Sequence, residues 1–342
     1  MTNHGPRKQF VSNAPTSRHG LLSVVVPCFN EEQVILFTHG RLEEVLKRCD
    51  MPWEIVYADD GSRDGTGDIL SAIASRDPRV HVVTLTRNFG HQAAASAGLQ
   101  FARGDAVAVI DADLQDPPEV ILEMIERWRQ GVDVAYGQRV SRAGETFFKL
   151  FMCRIFYRLL AGASEVPVPL DTGDFRLMDR AVVDAIVSMP EQDRFLRGMV
   201  AWVGFRQEAV PYLRDPRLAG ESKYPFRKLL KLALDGFISL SQAPVRALWW
   251  ITGGLATCCL VSVLAAVGGW LAGFQAASNF VMPALIYSAA TANAVCLTIV
   301  GEYTTRAYRQ VRGRPLWIVK KTVIGGVSSV ESSDQTRLGQ AA

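Results

Sequence analysis

Three aspartates follow an apolar run in the segment VAVIDADLQDPPEVI. Asp111 and Asp113 lie two residues apart at the end of the run, Gln115 follows them, and Asp116 precedes a proline pair. An extended backbone would point Asp111 and Asp113 to the same side, where two carboxylates repel each other unless a cation lies between them. Hard divalent cations such as Mg²⁺ prefer carboxylate oxygens together with substrate phosphates. The pair therefore predicts a metal-diphosphate site, with Asp116 as the cap of the helix that opens at the prolines.

Two further polar segments follow apolar runs. VVVPCFNEE places Pro27, Asn30 and Glu31 at the end of one run, and VYADDGSRDGT places Asp59 and Asp60 at the end of another. Short acidic side chains at such positions can accept hydrogen bonds from a ribose or a base. Two alternatives stay open, since Asn30 is also a common helix cap and DDGSRDG also forms a simple turn.

Several function classes are disfavoured. Neither G-x-G-x-x-G nor G-x-x-x-x-G-K-[ST] follows an apolar run, which argues against a dinucleotide-binding dehydrogenase. The formal net charge of +3 is too small for nucleic-acid binding by bulk electrostatics, so no nucleic-acid partner is expected. The six cysteines contain no C-x-x-C pair, which argues against a zinc site or a disulfide framework.

The elements that would position these side chains alternate between two periodicities. Segments with helical periodicity separate short apolar runs rich in β-branched residues, so the sequence predicts an α/β fold with a parallel sheet and ligands at the carboxyl ends of its strands. The predicted strands are 21–27, 54–59, 80–86, 106–112 and 132–137, and the predicted helices are 31–49, 64–76 and 117–131.

A long charge-free stretch follows this body. Residues 247–301 include no Asp, Glu, Lys or Arg, which is enough for two membrane spans of roughly 20 residues each. The predicted spans are 247–274 and 280–300, and a buried hairpin in a soluble core is disfavoured because neither segment has a polar face. Basic residues flank both ends, so the positive-inside rule predicts that both ends face the cytoplasm. Residues 1–20 lack the apolar segment of a signal peptide, so they are predicted to form a disordered tail.

An ordered set of motifs carries a family resemblance over roughly residues 21–320. VVVPCFNEE, DDGSRDGT, RNFGHQAAASAGL, DADLQDPP, DTGDFRL, RFLRGMVAWVGF, SKYP and RGRPLWIV occur in this order. Together they resemble the membrane-bound polyprenyl-phosphate glycosyltransferases of glycosyltransferase family 2, and most closely the bactoprenol (undecaprenyl-phosphate) glucosyltransferases. The resemblance implies a GT-A fold, a UDP-sugar donor, Mg²⁺ or Mn²⁺, inverting transfer, a lipid-phosphate acceptor and a homo-oligomer such as a tetramer.

The resemblance also implies roles for individual residues. Asp113 would bind the metal that bridges the UDP diphosphate, with Asp111 beside it and Gln115 nearby. Asp174 of DTGDF matches the place where GT-A enzymes keep an acid near the acceptor, with Asp171 as the alternative. The positions that match the uridine site are Pro27, Glu31, Asp59 and Asp60, to which Asn30 is added as a donor-site candidate.

Binding of the acceptor phosphate requires cations. Arg139 matches an arginine that contacts the lipid phosphate in related enzymes, and Arg217, Ser222 and Lys223 lie in the predicted acceptor loop RLAGESKY. Arginine offers phosphate a planar fork of donors, whereas lysine acts as a point charge. A lipid phosphate is already anionic near neutral pH, so we expect Asp174 to orient a substrate and not to remove a proton.

These observations predict a chain in five parts. They are a disordered tail (1–20), a GT-A catalytic domain (21–225), an interfacial amphipathic helix (226–244), two transmembrane helices (245–302) and a cytoplasmic C-terminal tail (303–342). The predicted function is transfer of a hexose, most readily glucose, from a UDP-sugar to polyprenyl phosphate at the cytoplasmic face of a bacterial inner membrane. Two alternatives are a processive polysaccharide synthase, which the missing Q-x-x-R-W run disfavours, and a non-catalytic UDP-sugar-sensing scaffold.

Overall fold

The computed structural model describes residues 20–140, 172–213, 254, 257, 260–261 and 278–329. The predicted interfacial helix and most of the first predicted span lie outside these ranges. Four predicted site residues also lie outside them, namely Asp171, Arg217, Ser222 and Lys223. The other predicted site residues can be placed.

Nine strands and seven helices are found in the described ranges. The strands are β1 (Leu22–Cys28), β2 (Trp53–Asp59), β3 (Val80–Leu85), β4 (Ala106–Val109), β5 (Val134–Arg139), β6 (Thr172–Asp179), β7 (Gln207–Tyr212), β8 (Val319–Ile324) and β9 (Val327–Ser329). The helices are α1 (Ile35–Leu46), α2 (Thr66–Ala74), α3 (His91–Phe101), α4 (Val120–Arg129), α5 (Arg180–Ser188), α6 (Leu196–Trp202) and α7 (Ser278–Val311).

All nine strands form one sheet in the order β7-β5-β6-β4-β1-β2-β3-β8-β9. The central strands β4, β1, β2 and β3 are parallel, as the alternation of periodicities predicts, and β5 pairs in parallel with β7. The prediction of a mostly parallel sheet is confirmed for the described strands, because only β6, antiparallel to β4 and β5, and β8, antiparallel to β3 and β9, run against the others. The fold is a mixed-sheet, Rossmann-like α/β fold.

The core lies on both faces of the sheet because successive side chains of a strand point to opposite faces. On β1, Val24 and Val26 join one buried cluster, and Val25 between them joins the other. Helices α1, α2 and α4 cover the first face with residues such as Leu42, Leu70 and Trp128. Helices α3, α5 and α6 cover the second face. Burial on both faces explains why β1 is a continuous apolar run.

The C-terminal part of the chain contributes to the same sheet. Strand β8 adds to the edge strand β3, and the Thr86 N–H donates to the Ile318 carbonyl (2.9 Å) just beyond the ladder. The C-terminal end of α7 packs nearby, with Arg306 3.3 Å from a carboxylate oxygen of Asp193. Residues 319–329, which fall in the predicted tail, therefore build one side of the sheet.

Helix α7 includes the second predicted span, residues 280–300. In the described part of the chain, no helix combines the length and the apolar character needed to cross a bilayer.

Candidate active site

The carboxyl ends of β1 and β2 hold the two predicted donor-binding segments side by side. Cys28, the last residue of β1, lies opposite Asp59, the last residue of β2. Asp59 accepts from the Ser62 N–H (3.0 Å), and Asp60 accepts from the N–H groups of Phe89 (2.7 Å) and Gly90 (2.9 Å). Burial raises the pKa of both carboxyls, which are almost fully shielded from solvent.

The segment DDGSRDG forms the turn that was one of the open alternatives. Gly61 has a φ of 68°, and an added Cβ would lie 2.6 Å from the backbone of Arg87, so only glycine fits there. Asp64 closes the turn by accepting from the Thr66 N–H (3.1 Å). The turn and the donor-site role are compatible, because the turn fixes Asp59 and Asp60 at the sheet edge.

Asn30 and Glu31 lie in the loop after β1. The Asn30 Oδ1 accepts from the Arg63 N–H (2.9 Å), and the Glu31 N–H donates to Thr66 Oγ1 (2.8 Å). Helix α1 begins at Ile35 and its N-cap, Val34, makes no side-chain capping bond. The interpretation of Asn30 as a helix cap is therefore wrong, since its amide ties two loops together instead. Pro27 is buried within β1, opposite Ala58.

The D-x-D pair lies beyond the end of β4. The strand stops at Val109, and the chain turns at residues 112 and 113, so the extended backbone expected for the pair is wrong. The pair is nevertheless brought close enough for its charges to interact, because Asp113 helps to raise the pKa of Asp111. In the described ranges, Asp111 Oδ1 and Gln115 Oε1 are buried oxygens with no hydrogen-bond partner.

A histidine that is not among the predicted site residues lies against this pair. His91 opens α3, and its Nε2 is 3.5 Å from Asp111 Oδ1 and 3.3 Å from Asp174 Oδ2. Burial raises the pKa of Asp111 to about 6, and neighbouring carboxylates add to the rise while His91 opposes it. Burial favours the neutral form of His91, yet Asp174 and Asp111 outweigh it and raise the pKa of the ring to about 9. His91 is therefore a cation shared between two carboxylates.

Asp174 lies on β6 and is 7% exposed. Its carboxylate accepts from Arg197 Nε (2.8 Å) and Gln92 Nε2 (2.8 Å), in addition to the contact with His91. Burial opposes ionisation, but Arg197 and His91 overcome it and hold the pKa of Asp174 well below its usual range. Asp174 is thus a fixed anion with its oxygens already engaged.

An irregularity in the ladder sets the position of Asp174. Tyr136 of β5 lies opposite Arg176, whereas Gln138 lies opposite Thr172, so β6 carries extra residues at this point. Such a bulge removes carbonyls from the ladder. The buried Arg176 guanidinium binds two of them, donating to the carbonyls of Gly173 (2.9 Å) and Asp174 (3.3 Å). Burial lowers the pKa of Arg176 to about 10.

Arg139, the predicted phosphate ligand, lies close to this bulge. Its Nη2 is 3.6 Å from Asp116 Oδ1, and its Nε donates to the Tyr212 hydroxyl (3.2 Å). The Tyr212 hydroxyl donates in turn to Asp116. The predicted capping role of Asp116 is wrong, because α4 begins at Val120 and Asp116 is a buried partner of Arg139 and Tyr212.

The site therefore includes residues that sequence reasoning missed. His91, Gln92 and Arg197 complete the surroundings of Asp174, and Tyr212 completes those of Asp116. The motifs RNFGHQ and RFLRGMV contain His91, Gln92 and Arg197. No spacing rule predicts that Gln92 bonds to Asp174, which is 82 residues away in the sequence.

The chemistry of Asp111 and Asp113 suits a hard divalent cation. In the described ranges, no group of three or more His, Cys, Asp or Glu residues is placed to hold a metal. Mg²⁺ usually takes one or two carboxylates and completes its shell with substrate phosphates and water. Two aspartates satisfy that requirement, and Asp111 and Gln115 each have an oxygen that accepts no hydrogen bond in the described ranges, so the residues fit a metal-diphosphate site.

An α/β sheet with carboxylates gathered at the carboxyl ends of parallel strands is the arrangement of a ligand-binding α/β enzyme. Comparison with known proteins gives the class. The model of the family "Glycosyl transferase family 2" matches residues 23–187. The chain belongs to glycosyltransferase family 2, and the predicted resemblance is confirmed.

Individual relatives match over most of their length. An uncharacterized glycosyltransferase of Bacillus subtilis, YkcC, is 44% identical over 316 residues, covering 90% of this chain and 95% of the relative. The SfII prophage-derived bactoprenol glucosyl transferase of Shigella flexneri is 39% identical over 307 residues, covering 88% and 98%. Among solved structures, the mannosyltransferase PcManGT from Pyrobaculum calidifontis, in complex with GDP-Man and Mn²⁺, is 19% identical with a TM-score of 0.42, covering 84% and 91%.

Proposed function

We propose that this glycosyltransferase moves a hexose, with glucose as the first candidate, from a UDP-sugar to polyprenyl (undecaprenyl) phosphate. The observation that carries the proposal is the buried Oδ1 of Asp111, which accepts no hydrogen bond in the described ranges and lies 3.5 Å from His91 Nε2, beside Asp174 and Arg197. This arrangement offers a cation site and fixed positive groups at one edge of the sheet. The name of the Shigella flexneri relative, a bactoprenol glucosyl transferase, supports a lipid acceptor and glucose.

Asp113 and Asp111 would hold Mg²⁺ or Mn²⁺, with Gln115 adjacent. When bound, the cation offsets the negative charge that builds up on a departing diphosphate. Asp59, Asp60 and the loop that carries Pro27, Asn30 and Glu31 would bind the uridine. All of these side chains lie at the carboxyl ends of β1, β2 and β4, so one extended donor can reach them together.

The transfer needs little proton chemistry. An oxygen of the acceptor phosphate attacks C1 of the sugar, the bond from C1 to the diphosphate oxygen breaks, and its electron pair leaves with UDP. A phosphate nucleophile is anionic near neutral pH, so no base has to be found. Asp174 suits an orienting role, because a carboxylate with a pKa well below its usual range is a weak base.

Cationic side chains near Asp174 would bind the acceptor phosphate. His91 and Arg197 contact Asp174 directly. Arg139 lies on the neighbouring strand β5, and its Nη2 is 2.9 Å from the position that a Cβ added at Gly173 would take. Arg217, Ser222 and Lys223 remain proposed contributors from the predicted acceptor loop. The phosphate oxygen would attack C1 in line with the departing UDP, through a transition state with positive character at C1. No covalent enzyme intermediate is formed.

A lipid acceptor places this chemistry at a membrane. We propose that the predicted hairpin spans the inner membrane, with the catalytic sheet and both termini in the cytoplasm, and that the chain forms a homo-oligomer. The charge-free residues 247–301 support the spans. Large apolar side chains on α7 also face outward, including Ile286 (64% exposed) and Leu297 (70% exposed).

The experiment is a transfer assay with the detergent-purified full chain. A panel of UDP-sugars is incubated with Mg²⁺ or Mn²⁺, with and without undecaprenyl phosphate, and glycolipid and UDP are both measured. We expect UDP release from one donor only when the lipid phosphate is present, and loss of turnover with a chelator or in Asp113→Asn. Asp184→Asn, which removes an exposed carboxylate on α5, is the matched control. Release of UDP that is independent of the lipid would contradict the acceptor assignment.

A further inference from the structure

The motif RGRPLWIVKK, residues 312–321, has no role in the site described so far. Its last residues form the start of β8, which pairs with β3 so that Val319 lies opposite Leu85 and Lys321 lies opposite Thr84. Thr84 in turn lies opposite Asp59 of the donor site. The motif therefore runs alongside the strand next to Asp59.

The two lysines of this motif differ in their surroundings. The register between β3 and β8 shifts between Thr84 and Leu85, which leaves Lys320 as the extra residue of a bulge. Bulges are common next to active sites because they redirect a side chain. Lys320 is exposed, whereas Lys321 is half-buried with its Nζ 3.5 Å from Ser71 Oγ on α2.

Strand order decides which part of a donor Lys320 can reach. From β4, which precedes the D-x-D pair, the order runs through β1, β2 and β3 to β8. Four strand spacings of about 4.8 Å place β8 roughly 19 Å from β4. Lys320 is therefore remote from the diphosphate and lies on the side of Asp59. Burial raises the pKa of Asp59, and Lys320 is close enough to oppose that rise.

We propose that Lys320 is a specificity-determining residue for the nucleobase of the donor. Its ammonium group donates a hydrogen bond to the 4-carbonyl oxygen of uracil, beside the ring N–H that donates to Asp59. The inference rests on the proposed function, because it takes a uridine nucleotide as the ligand. Uracil presents a carbonyl oxygen next to an imide N–H, which matches an ammonium group next to a carboxylate. Cytosine presents an amino group and an unprotonated ring nitrogen at those positions, so both contacts would be mismatched.

The test is calorimetric titration of the full-length protein in detergent with UDP and with CDP, in the presence of Mn²⁺. The wild type should prefer UDP. Lys320→Met should weaken UDP binding by about tenfold or more, the effect expected for losing one hydrogen bond to a charged group, while leaving CDP binding unchanged. Lys320→Arg should recover part of the preference. Lys321→Met, which removes the neighbouring charge, should keep the wild-type ratio.

Three results would overturn the inference. They are an unaltered ratio of UDP to CDP affinity in Lys320→Met, an equal loss for both nucleotides, and the same loss in Lys321→Met, since the last two indicate a general charge effect. Because Lys320 is exposed, thermal melting of Lys320→Met should match the wild type and exclude misfolding as the cause. If the wild type bound no UDP at all, the donor assignment itself would fall, which is a different outcome from bound UDP with an unchanged ratio.

Discussion

Two clusters of histidine, carboxylate and arginine lie at opposite ends of the sheet's parallel strands. One is the site at the carboxyl ends, with His91, Asp174 and Arg197. The other lies at the amino ends, where Glu54 contacts His81 and Arg103. The residue types are the same, so what separates the two clusters is how fully their polar atoms are satisfied and how open they are to solvent.

The cluster at the amino ends is closed. Glu54 is 2% exposed and accepts from Ser23 Oγ (2.6 Å), the Arg103 N–H (2.8 Å) and Arg103 Nη2 (2.7 Å). Burial would raise the pKa of Glu54, but these donors and His81 outweigh it and lower the pKa to about 2. Such a saturated network fixes neighbouring strands and leaves no oxygen for a ligand.

The cluster at the carboxyl ends is open by comparison. The side chains of His91 and Asp111 are 32% and 34% exposed, and Asp111 keeps an oxygen without a hydrogen-bond donor in the described ranges. An unsatisfied carboxylate next to other carboxylates is costly to a folded protein unless a ligand completes it. The comparison teaches that a carboxylate oxygen without a hydrogen-bond donor, on a partly exposed side chain, distinguishes the cluster that we propose to be functional.

The largest effect should come from Asp111→Asn. If Asp111 holds the proposed cation, its loss removes several kcal/mol of charge stabilisation from the transition state, so we expect turnover to fall by about a thousandfold. The melting temperature should stay the same or rise, because a buried charge with like-charged neighbours is removed. Activity and melting are measured on the same preparation beside Asp184→Asn. A stable variant with full turnover would remove Asp111 from the site.

The opposite result is expected at the closed cluster. Glu54→Gln should lower the free energy of unfolding by about 2 kcal/mol, because the buried carboxylate gives up the charge-assisted hydrogen bonds that it accepts from Ser23 and Arg103. Turnover per folded molecule should be unchanged, since Glu54 lies at the far end of the strands. Chemical denaturation gives the stability, with the exposed Glu126→Gln as control. If Glu54→Gln lost activity without losing stability, the claim that the Glu54 cluster is structural and not functional would be contradicted.

Asp174→Asn should have an intermediate effect. The neutral amide keeps the shape but loses the charge that holds Arg197 and His91, so we expect turnover to fall by about 10- to 100-fold. The pH profile of kcat should keep its shape, because Asp174 is not the group that titrates. Disappearance of a limb of the profile would instead identify Asp174 as a base, and near-normal turnover would remove even the orienting role.

The smallest effect is the pH dependence of the closed cluster. The pKa of Glu54 is about 2 in the folded protein, below its ordinary value of about 4.3 in an unfolded chain. The stability that its charge contributes is therefore complete above about pH 4.5 and is lost as the pH falls towards 2. The stability difference between wild type and Glu54→Gln should shrink over that range. A difference that stays constant between pH 5 and pH 3 would contradict the assigned ion pairs.

The sequence was sufficient for the parts of the fold that depend on local patterns. Apolar runs followed by Asp59, Asp60 and Asp111 located two strands, β2 and β4, because consecutive residues show both the burial on two faces and the polar end. The added strands β6 to β9 were not predicted, since two of them pair antiparallel with distant parts of the chain.

The misassigned side chains share one cause. Asp116 was expected to cap a helix, but its partner Tyr212 is 96 residues away. His91 was not among the predicted site residues, because only folding brings Asp111 and Asp174 to it. Contacts between residues that are distant in the sequence decide which polar side chains form the site, and local motif spacing does not predict these contacts.

The central claim is tested most directly by isolating the product formed from UDP-glucose and undecaprenyl phosphate. Mass spectrometry and the anomeric coupling constant of the purified glycolipid give its composition and configuration in one preparation. The account predicts undecaprenyl phosphate carrying one β-linked hexose, which requires attack by the phosphate oxygen on C1 with inversion. Free hexose and UDP without glycolipid, or an α-linked product, would contradict it.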